Sequence, residues 1–528
     1  MAGPDRKPAD TPAPAADELE FRRNRALGLG GPEAVAFQHR RGKKTVRERL
    51  DMLLDAGSFQ EMGMLAGKGS YDENGRLTDF RPSNAVIGTG RVDGRKVVVS
   101  GDDFTIRAGS SEATVSDKWV YAERYAHEYR MPLVRLVDTA GGSVKLLEQQ
   151  QATKIPGYAR WPSISLLGRV PVVGMALGAC AGLGAIKVGL SHFSVMLGET
   201  AFVFAGGPPV VKRGMGIDVT KEELGGARVH TRSGVVSNEA KDEQDAFDQA
   251  RRFLSYMPRS AWHLPPRGST EDAPTRAETA LDDIIPEDRR KVYKPRRILE
   301  LVMDRDSLFE VGRRFGGSVI TCYGRLNGHA VGVICSDPAV MGGALTLQAA
   351  QKMARFVDIC DTFHLPIVNF VDQPGVMTGP SAEAAGTLTA AIGLLGAIEQ
   401  ASVPWCSIVV RRAFGVGGGA HGPKHGPEGR SLNHRYAWPS ARWGSIPVEG
   451  GVAAAYKAEL AAADDPDAQL QRLEQYFHEL GSPFRTAEKF GIVDIIRPSE
   501  TRQVLCDWVE DAVELARTQI GLKLRTMR

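Results

Sequence analysis

Residues 87–103, IGTGRVDGRKVVVSGDD, lie without a gap over residues 321–337, TCYGRLNGHAVGVICSD, and the same register carries MPLVRLVDTAG (131–141) onto LPIVNFVDQPG (365–375). The offset is constant, since 324 − 90 and 375 − 141 both give 234. Equivalent pairs include Gly90/Gly324, Arg91/Arg325, Gly94/Gly328, Asp103/Asp337, Gly109/Gly343, Pro132/Pro366, Asp138/Asp372 and Gly141/Gly375. One residue of slippage later, RVPVVGMALGACAGLG (169–184) falls on SVPWCSIVVRRAFGVG (402–417). A register held this long marks a tandem duplication, so whatever one half folds into, the other repeats.

From residue 85 onward, short β-rich runs (NAVIGTG, KVVVSGD, LVRLVD, VPVVGMALG, AFVFAG) alternate with helical stretches, the pattern of βαβ units and an α/β fold. Upstream, residues 33–62 read as helical, with Thr45 and Glu48 spaced as a capping box. Between about 257 and 295 the composition turns to Pro, Arg and acids (MPRSAWHLPPRGSTEDAPTRAE), which predicts a linker. The expected organisation is a disordered tail at 1–30, a first domain at 31–257, a linker at 258–295 and a second domain at 296–528.

With 42% hydrophobic residues over 528 positions the chain can bury large cores. Its net charge of +3 comes without a dense Lys/Arg face, which argues against nucleic acid and suits a small anionic ligand. Six cysteines, at 180, 322, 335, 360, 406 and 506, form no C-x-x-C pair, so neither a zinc ribbon nor a disulfide framework is expected, and a reducing cytoplasm fits. No run approaches the roughly 18 apolar residues of a membrane span. The opening MAGPDRKPADTPAPAADELE has neither a signal peptide's apolar core nor a transit peptide's Arg-rich, acid-poor character.

The chemistry sits in glycine-containing turns. In the first half Leu136-Val137-Asp138 runs into Thr139-Ala140-Gly141-Gly142-Ser143, and Val170–Leu177 runs into Gly178-Ala179-Cys180-Ala181-Gly182-Leu183-Gly184. The second half repeats this with Asp372-Gln373-Pro374-Gly375-Val376 and Phe414-Gly415-Val416-Gly417-Gly418-Gly419. Peptide N–H groups at such strand–helix turns lack intrahelical partners and can be aimed at a ligand oxygen. One such turn alone is compatible with mere close packing; four at duplicated positions point to two oxyanion holes.

Four segments, KMARFVDICDTFHLPIVNFVDQPGVMTG (352–379), VVKRGMGIDVTKEELGGARVH (210–230), GKKTVRERLDMLLDAGSF (42–59) and YAWPSARWG (436–444), resemble the biotin-dependent carboxyltransferases, nearest the β subunits of propionyl-CoA and methylcrotonyl-CoA carboxylases. The likeness covers nearly the whole chain beyond the first 30 residues. It implies two crotonase-like (ClpP/crotonase) α/β domains and an active site shared between subunits of a hexamer, a trimer of dimers. It implies transfer of CO2 from carboxybiotin, held on a separate carrier chain, to the α or vinylogous carbon of an acyl-CoA. The family's acyl-CoA hole maps to Gly141, Gly142 and Gly182 with Ala181 beside it, and its biotin hole to Gly375, Val376, Val416 and Gly417. Phe414 and Gly415 fall on the biotin side, and Lys118, Lys212 and Arg213 are candidates for CoA phosphates. No Ala-Met-Lys-Met biotinylation site and no ATP-binding carboxylase module occurs here, so a biotin carboxylase and carrier α subunit is the expected partner.

Two departures from the family pattern stand out. Where propionyl-type enzymes read Asp-Ser-Gly-Gly-Ala-Arg, this chain has Asp138-Thr139-Ala140-Gly141-Gly142-Ser143. Gly415-Val416-Gly417-Gly418-Gly419-Ala420-His421 follows neither of the family's usual versions, and a longer loop precedes Trp438. The resemblance therefore names no acyl group. Other readings compete with it. A decarboxylase subunit would run the same chemistry backward with a membrane partner. A crotonase-type hydratase or isomerase would need paired glutamates, and only Glu148 lies near. A non-catalytic scaffold is a third reading. His421, His425 and His434 suggest a metal, but without carboxylate or Cys companions the reading is no metal. Cys180 reads as a small packing residue rather than a nucleophile. Asp138 and Asp372 read as anchors of their turns rather than as acids or bases.

Overall fold

The computed structural model describes residues 15–523 except 154, 156, 159, 289–290, 425 and 427–432. The chain forms two compact units. Within the described residues, the first takes the chain up to Leu167, Val172–Ala227 and Ala240–Phe247; the second takes Gly168–Pro171, Arg228–Glu239 and everything from Asp248 onward.

The first unit is built on a sheet ordered Gln60–Met62, Ala85–Val92, Arg95–Asp102, Leu133–Thr139, Val172–Ala181 and Phe193–Leu197, with Phe202–Phe204 also against Val172–Ala181. The first two pairings are antiparallel and the rest are parallel. The antiparallel hairpin closes in two residues, Asp93 and Gly94, both at positive φ, as a twisted two-residue turn requires. The parallel strands are covered on both faces, so every residue of Leu133–Thr139 is buried, the paired Arg135 and Asp138 included. The crossover from Asp102 to Leu133 carries the helix Ser116–Tyr129, whose Trp119, Val120, Ala122 and Ala126 are buried.

The second unit repeats this order, with Asp494–Ile495 at its far edge: Phe309–Val311, Val319–Leu326, His329–Ser336, Ile367–Gln373, Trp405–Phe414, Asn433–Ala437 and Asp494–Ile495, with Arg442–Gly444 also on Trp405–Phe414. Strand starts 85 and 319, 95 and 329, and 133 and 367 all differ by 234, and the next pair, 172 and 405, by 233. The duplication read from sequence is thus a duplication of architecture. The hairpin turn is now Asn327-Gly328, again at positive φ. Val333, Val368, Phe370, Cys406 and Ile408 form part of the unit's core, and each such side chain contributes on the order of 1.5–3 kcal/mol by leaving water.

Three expectations change. The segment 15–30 is not a disordered tail: Ala15–Leu27 is a helix, with Ala26 buried, Arg25 paired to Asp79 at 2.8 Å and Arg22 over the Phe80 ring. Charged side chains that look like tail composition find partners on the hairpin of Gly67–Tyr71 and Leu77–Pro82. The region 33–62 is not one helix but Pro32–Arg40 and Val46–Leu53 followed by the edge strand Gln60–Met62; the Thr45/Glu48 capping box is present and starts the second helix. The Pro/Arg-rich stretch 258–295 is packed rather than free. Arg276 donates to the carbonyls of Leu301 (2.7 Å) and Met303 (2.9 Å), and Leu281 and Tyr293 are in the second unit's core.

Candidate functional site

In each unit two turns meet. In the first, Leu133–Thr139 runs into Ala140-Gly141-Gly142, and Val172–Ala181 runs into Gly182, which caps the helix Leu183–Gly189. A Cβ on Gly141 would come 2.8 Å from the Ala181 carbonyl oxygen. In the second, Gln373-Pro374-Gly375-Val376 meets Gly415-Val416-Gly417: a Cβ on Gly417 would come 2.8 Å from both Gly375 C and Val376 N. Gly182 and Gly415 hold φ of +56° and +62°, the left-handed region in which a Cβ is strained. The parallel pairing also slips at the same place in both sheets, after Val137 and after Val371, as a bulge that re-aims the chain.

The two bulges are pinned by Asp138 and Asp372, both fully buried. Asp138 accepts from Lys43 Nζ (2.9 Å) and the Ala179 N–H (3.1 Å) through Oδ1, and from Arg49 Nη1 (3.0 Å) and Gln38 Nε2 (3.3 Å) through Oδ2. Gly178 leaves the room: a Cβ there would lie 2.1 Å from Asp138 Oδ1 and 2.2 Å from Lys43 Nζ. In the second unit the position equivalent to Gly178 is Arg411, which itself reaches Asp372 Oδ2 with Nε at 3.0 Å, joined by Arg412 Nε on Oδ1 (2.6 Å) and Tyr293 OH on Oδ2 (3.1 Å). Carboxylates so fully enclosed by cations anchor their turns.

The amides divide sharply. Gly141 donates to Thr139 Oγ1 (3.0 Å) and Gly375 to Gln373 Oε1 (3.0 Å). Gly182 donates to the Phe204 carbonyl (3.0 Å), and Ala181 lies opposite Phe204 in the parallel ladder. The N–H groups of Gly142 and Leu183 in the first unit, and of Val376, Val416 and Gly417 in the second, have no acceptor among the described residues. Gly142 is exposed and Val416 is 63% exposed. Of the expected positions, Gly142, Val376, Val416 and Gly417 keep an unbonded amide, those of Gly141, Gly182 and Gly375 are already bonded, and Leu183 adds an unbonded amide that was not expected. Thr139 and Gln373, equivalent by the offset of 234, hold the preceding glycines by the same bond. Sequence reading missed both because Thr and Gln share no obvious chemistry; the repeat register was the signal that could have found them.

The remaining predicted residues scatter. Phe414 is buried and lines a cavity of about 690 Å³ with Pro374, Arg411, Arg412, Arg442 and His478, so it borders the second turn, as does Gly415. Lys212 and Arg213 sit on the exposed helix Pro208–Met215, where Lys212 pairs with Asp218 at 2.8 Å. Lys118 is buried, and burial brings its ammonium down to about 8, with the nearby Glu61 opposing the shift. Its equivalent Lys352 is also buried and also at about 8, donating to the Gly312 carbonyl at 3.1 Å. Arg47–Glu61 and Arg296–Glu310 ion pairs accompany the two lysines. Lys118, unlike Lys212 and Arg213, is thus an enclosed lysine that recurs with a nearby ion pair in both units.

Cys180 is buried, with burial the main cause of a thiol well above its usual range, so it is protonated and inert. Glu148 is exposed on the helix Val144–Gln150. His434 lies in the strand Asn433–Ala437, His421 is buried behind the second turn, and His425 falls outside the described residues. Among the described residues no three His, Cys, Asp or Glu converge as metal ligands, and no helix is long and apolar enough to cross a membrane.

Residues 37–526 match the family model of the carboxyl transferase domain. The chain is 35% identical over 493 residues to the carboxyltransferase subunit of propionyl-CoA carboxylase from Haloferax mediterranei, covering 93% of this chain and 94% of that one. It is 32% identical over 496 residues to the human mitochondrial propionyl-CoA carboxylase beta chain, covering 93% and 89%. Among solved structures, the transcarboxylase 12S hexamer with hydrolysed methylmalonyl-coenzyme A bound superposes with a TM-score of 0.85 at 29% identity, over 99% of this chain and 98% of that one. Two duplicated α/β units, each ending in paired turns with unspent amides, and a match across almost the entire chain place this protein in the carboxyl transferase family, as a carboxyltransferase of the biotin-dependent acyl-CoA carboxylase β-chain type.

Proposed function

We propose that the chain moves a carboxyl group between biotin and an acyl-CoA by stabilising two separate oxygen anions with main-chain N–H groups. The single observation that carries this is the pair of turns with unspent amides at equivalent positions of both units. The first-unit turn, through Gly142 and Leu183, holds the thioester oxygen as it becomes an enolate. The second-unit turn, through Val376, Val416 and Gly417, faces the ureido oxygen of biotin. The Gly417 site is one that a single Cβ would fill, and the cavity at Phe414 is of a size that takes a small bicyclic ring. Carboxybiotin, when bound, supplies CO2 and a base for the α-proton. The residues of this chain orient both partners and hold negative charge where it develops; a donor so placed contributes about 3–4 kcal/mol to a transition state.

Exposed Lys212 and Arg213 suit the phosphates of coenzyme A. A hexamer that shares its sites between subunits, and a biotin carboxylase and carrier partner, complete the proposed assembly; the 12S neighbour is described as a hexamer with methylmalonyl-coenzyme A. Six cysteines without a disulfide among them suit a reducing, cytoplasmic setting. The test is transfer of labelled carboxyl from methylmalonyl-CoA and malonyl-CoA to free biotin, and the reverse reaction across acetyl-, propionyl-, methylcrotonyl- and longer acyl-CoA, with light scattering for oligomeric state. Transfer with at least one ester is expected. No transfer with any ester, with free biotin or with a biotinylated carrier, would sink the proposal.

A further inference from the structure

His421 is buried to 93% (7% exposed), just beyond the glycine run Gly417-Gly418-Gly419 of the second turn. Its Nδ1 lies against the Gly418 carbonyl and its own carbonyl accepts from Ser407 Oγ of the strand Trp405–Phe414. That contact makes Nδ1 the protonated nitrogen and leaves Nε2 a buried acceptor, and Nε2 has no partner among the described residues. The ring borders a cavity of about 20 Å³ whose wall includes Ser336, Asn369, Gln373 and Gly417. A space of that size holds one water, and polar walls with two to four partners are what retain it.

The polar groups match a single water. His421 Nε2 needs a donor. Gln373 already uses Oε1 to hold Gly375 N–H, and its Nε2 makes no other bond among the described residues; nor does the Asn369 side chain. Ser336 Oγ accepts the Asp372 N–H at 3.1 Å and has its own proton to give. A water that donates to His421 Nε2 and Asn369 Oδ1, and accepts from Gln373 Nε2 and Ser336 Oγ, satisfies all four.

We infer that His421 is a positioning residue of the second turn, tied through one buried water to Gln373, so that the bends at Gly375 and at Gly417 are held by one network. The two bends touch where the unspent Val376 and Gly417 amides lie, so slack in the tie shifts both donors together. The ring stays neutral in this role: burial is the main reason its pKa falls to about 3, with Arg435 and Lys424 as the cations acting on it and the Gly418 carbonyl opposing them. In the first unit the structurally equivalent turn has no histidine and holds Gly141 with a threonine, so the device belongs to the biotin side alone.

The catalytic meaning rests on the proposed function, whereas the structural meaning does not, and the test separates them. His421→Asn keeps a donor near Nδ1 and deletes the Nε2 acceptor; His421→Gln restores an amide near the Nε2 position. In the full-length protein, amide hydrogen exchange is followed in peptides spanning 368–380 and 405–424, with carboxyl transfer to free biotin measured alongside. Expected for His421→Asn are at least tenfold faster exchange in both peptides, a kcat lowered about tenfold and an acyl-CoA KM within twofold, with His421→Gln recovering part of each. Unchanged exchange in both peptides with a folded His421→Asn protein overturns the inference. Faster exchange only in 405–424 also overturns it, since the tie to Gln373 would then be absent. If the unmodified protein transfers no carboxyl group, the functional reading fails while the exchange arms still decide the role of His421.

Discussion

Gly417→Ala is the substitution most directly tied to the site's construction. A Cβ at this position would sit 2.8 Å from Gly375 C and Val376 N, 0.6 Å inside the 3.4 Å at which ordinary contact begins. Both obstructing atoms are backbone, so no side chain can swing aside; one bend must move by about that distance. Overpacking of this kind costs about 1–3 kcal/mol of stability. The same displacement carries the Val376 N–H off its target, and misplacement on the order of 1 Å, or loss of one such donor, costs about 100-fold in rate, close to 2.7 kcal/mol. The assay is carboxyl transfer from an acyl-CoA to free biotin, with urea unfolding of the same preparation. Gly419→Ala is the control, since a Cβ there meets nothing within 4 Å. A Gly417→Ala protein with kcat within threefold of the unmodified chain, or an equal loss in Gly419→Ala, would refute the reasoning.

Asp372→Asn leaves the Arg411 guanidinium buried without its counter-charge and should lose about 3–5 kcal/mol in denaturant unfolding; a loss below about 1 kcal/mol would show that the ion cluster does not anchor the turn. Lys352 is depressed by burial from 10.5 to about 8. Below pH 8 it is protonated in both states and the burial cost is complete; between about 8 and 10.5 the unfolded chain holds more protons, so stability rises with pH, and above that the cost is gone. Lys352→Met should therefore flatten that rise by about 1–3 kcal/mol relative to the unmodified chain, and identical pH curves would contradict it. All six cysteines are buried, and Cys180 is held protonated, so native protein at pH 8 should react with no more than a trace of a thiol reagent while unfolded protein reveals six. Fast labelling of Cys180 together with loss of activity would reopen the nucleophile reading.

The sequence by itself determined the duplication, and with it the same alternation of strands and helices in both units. Glycines, hairpin residues and largely apolar strands at a fixed offset leave little freedom, because strands buried on both faces need side chains that the core accepts in each copy. The bends at Gly141 and Gly375 were legible too, along with the buried aspartates that precede them. Which amide in each bend remains unspent was not legible, since that depends on partners distant in sequence or of unlike chemistry: Thr139 for Gly141, Gln373 for Gly375 and the Phe204 carbonyl for Gly182. Tertiary structure also decided the fate of the charges. Lys118, a candidate for a CoA phosphate, is enclosed by packing, and Arg-rich or acidic stretches that read as tail and linker are ordered by carbonyls and carboxylates that only folding brings within reach. Local pattern sets the backbone's path; a polar group's state follows from which distant atoms complete its hydrogen bonds, and those exist only in the folded chain.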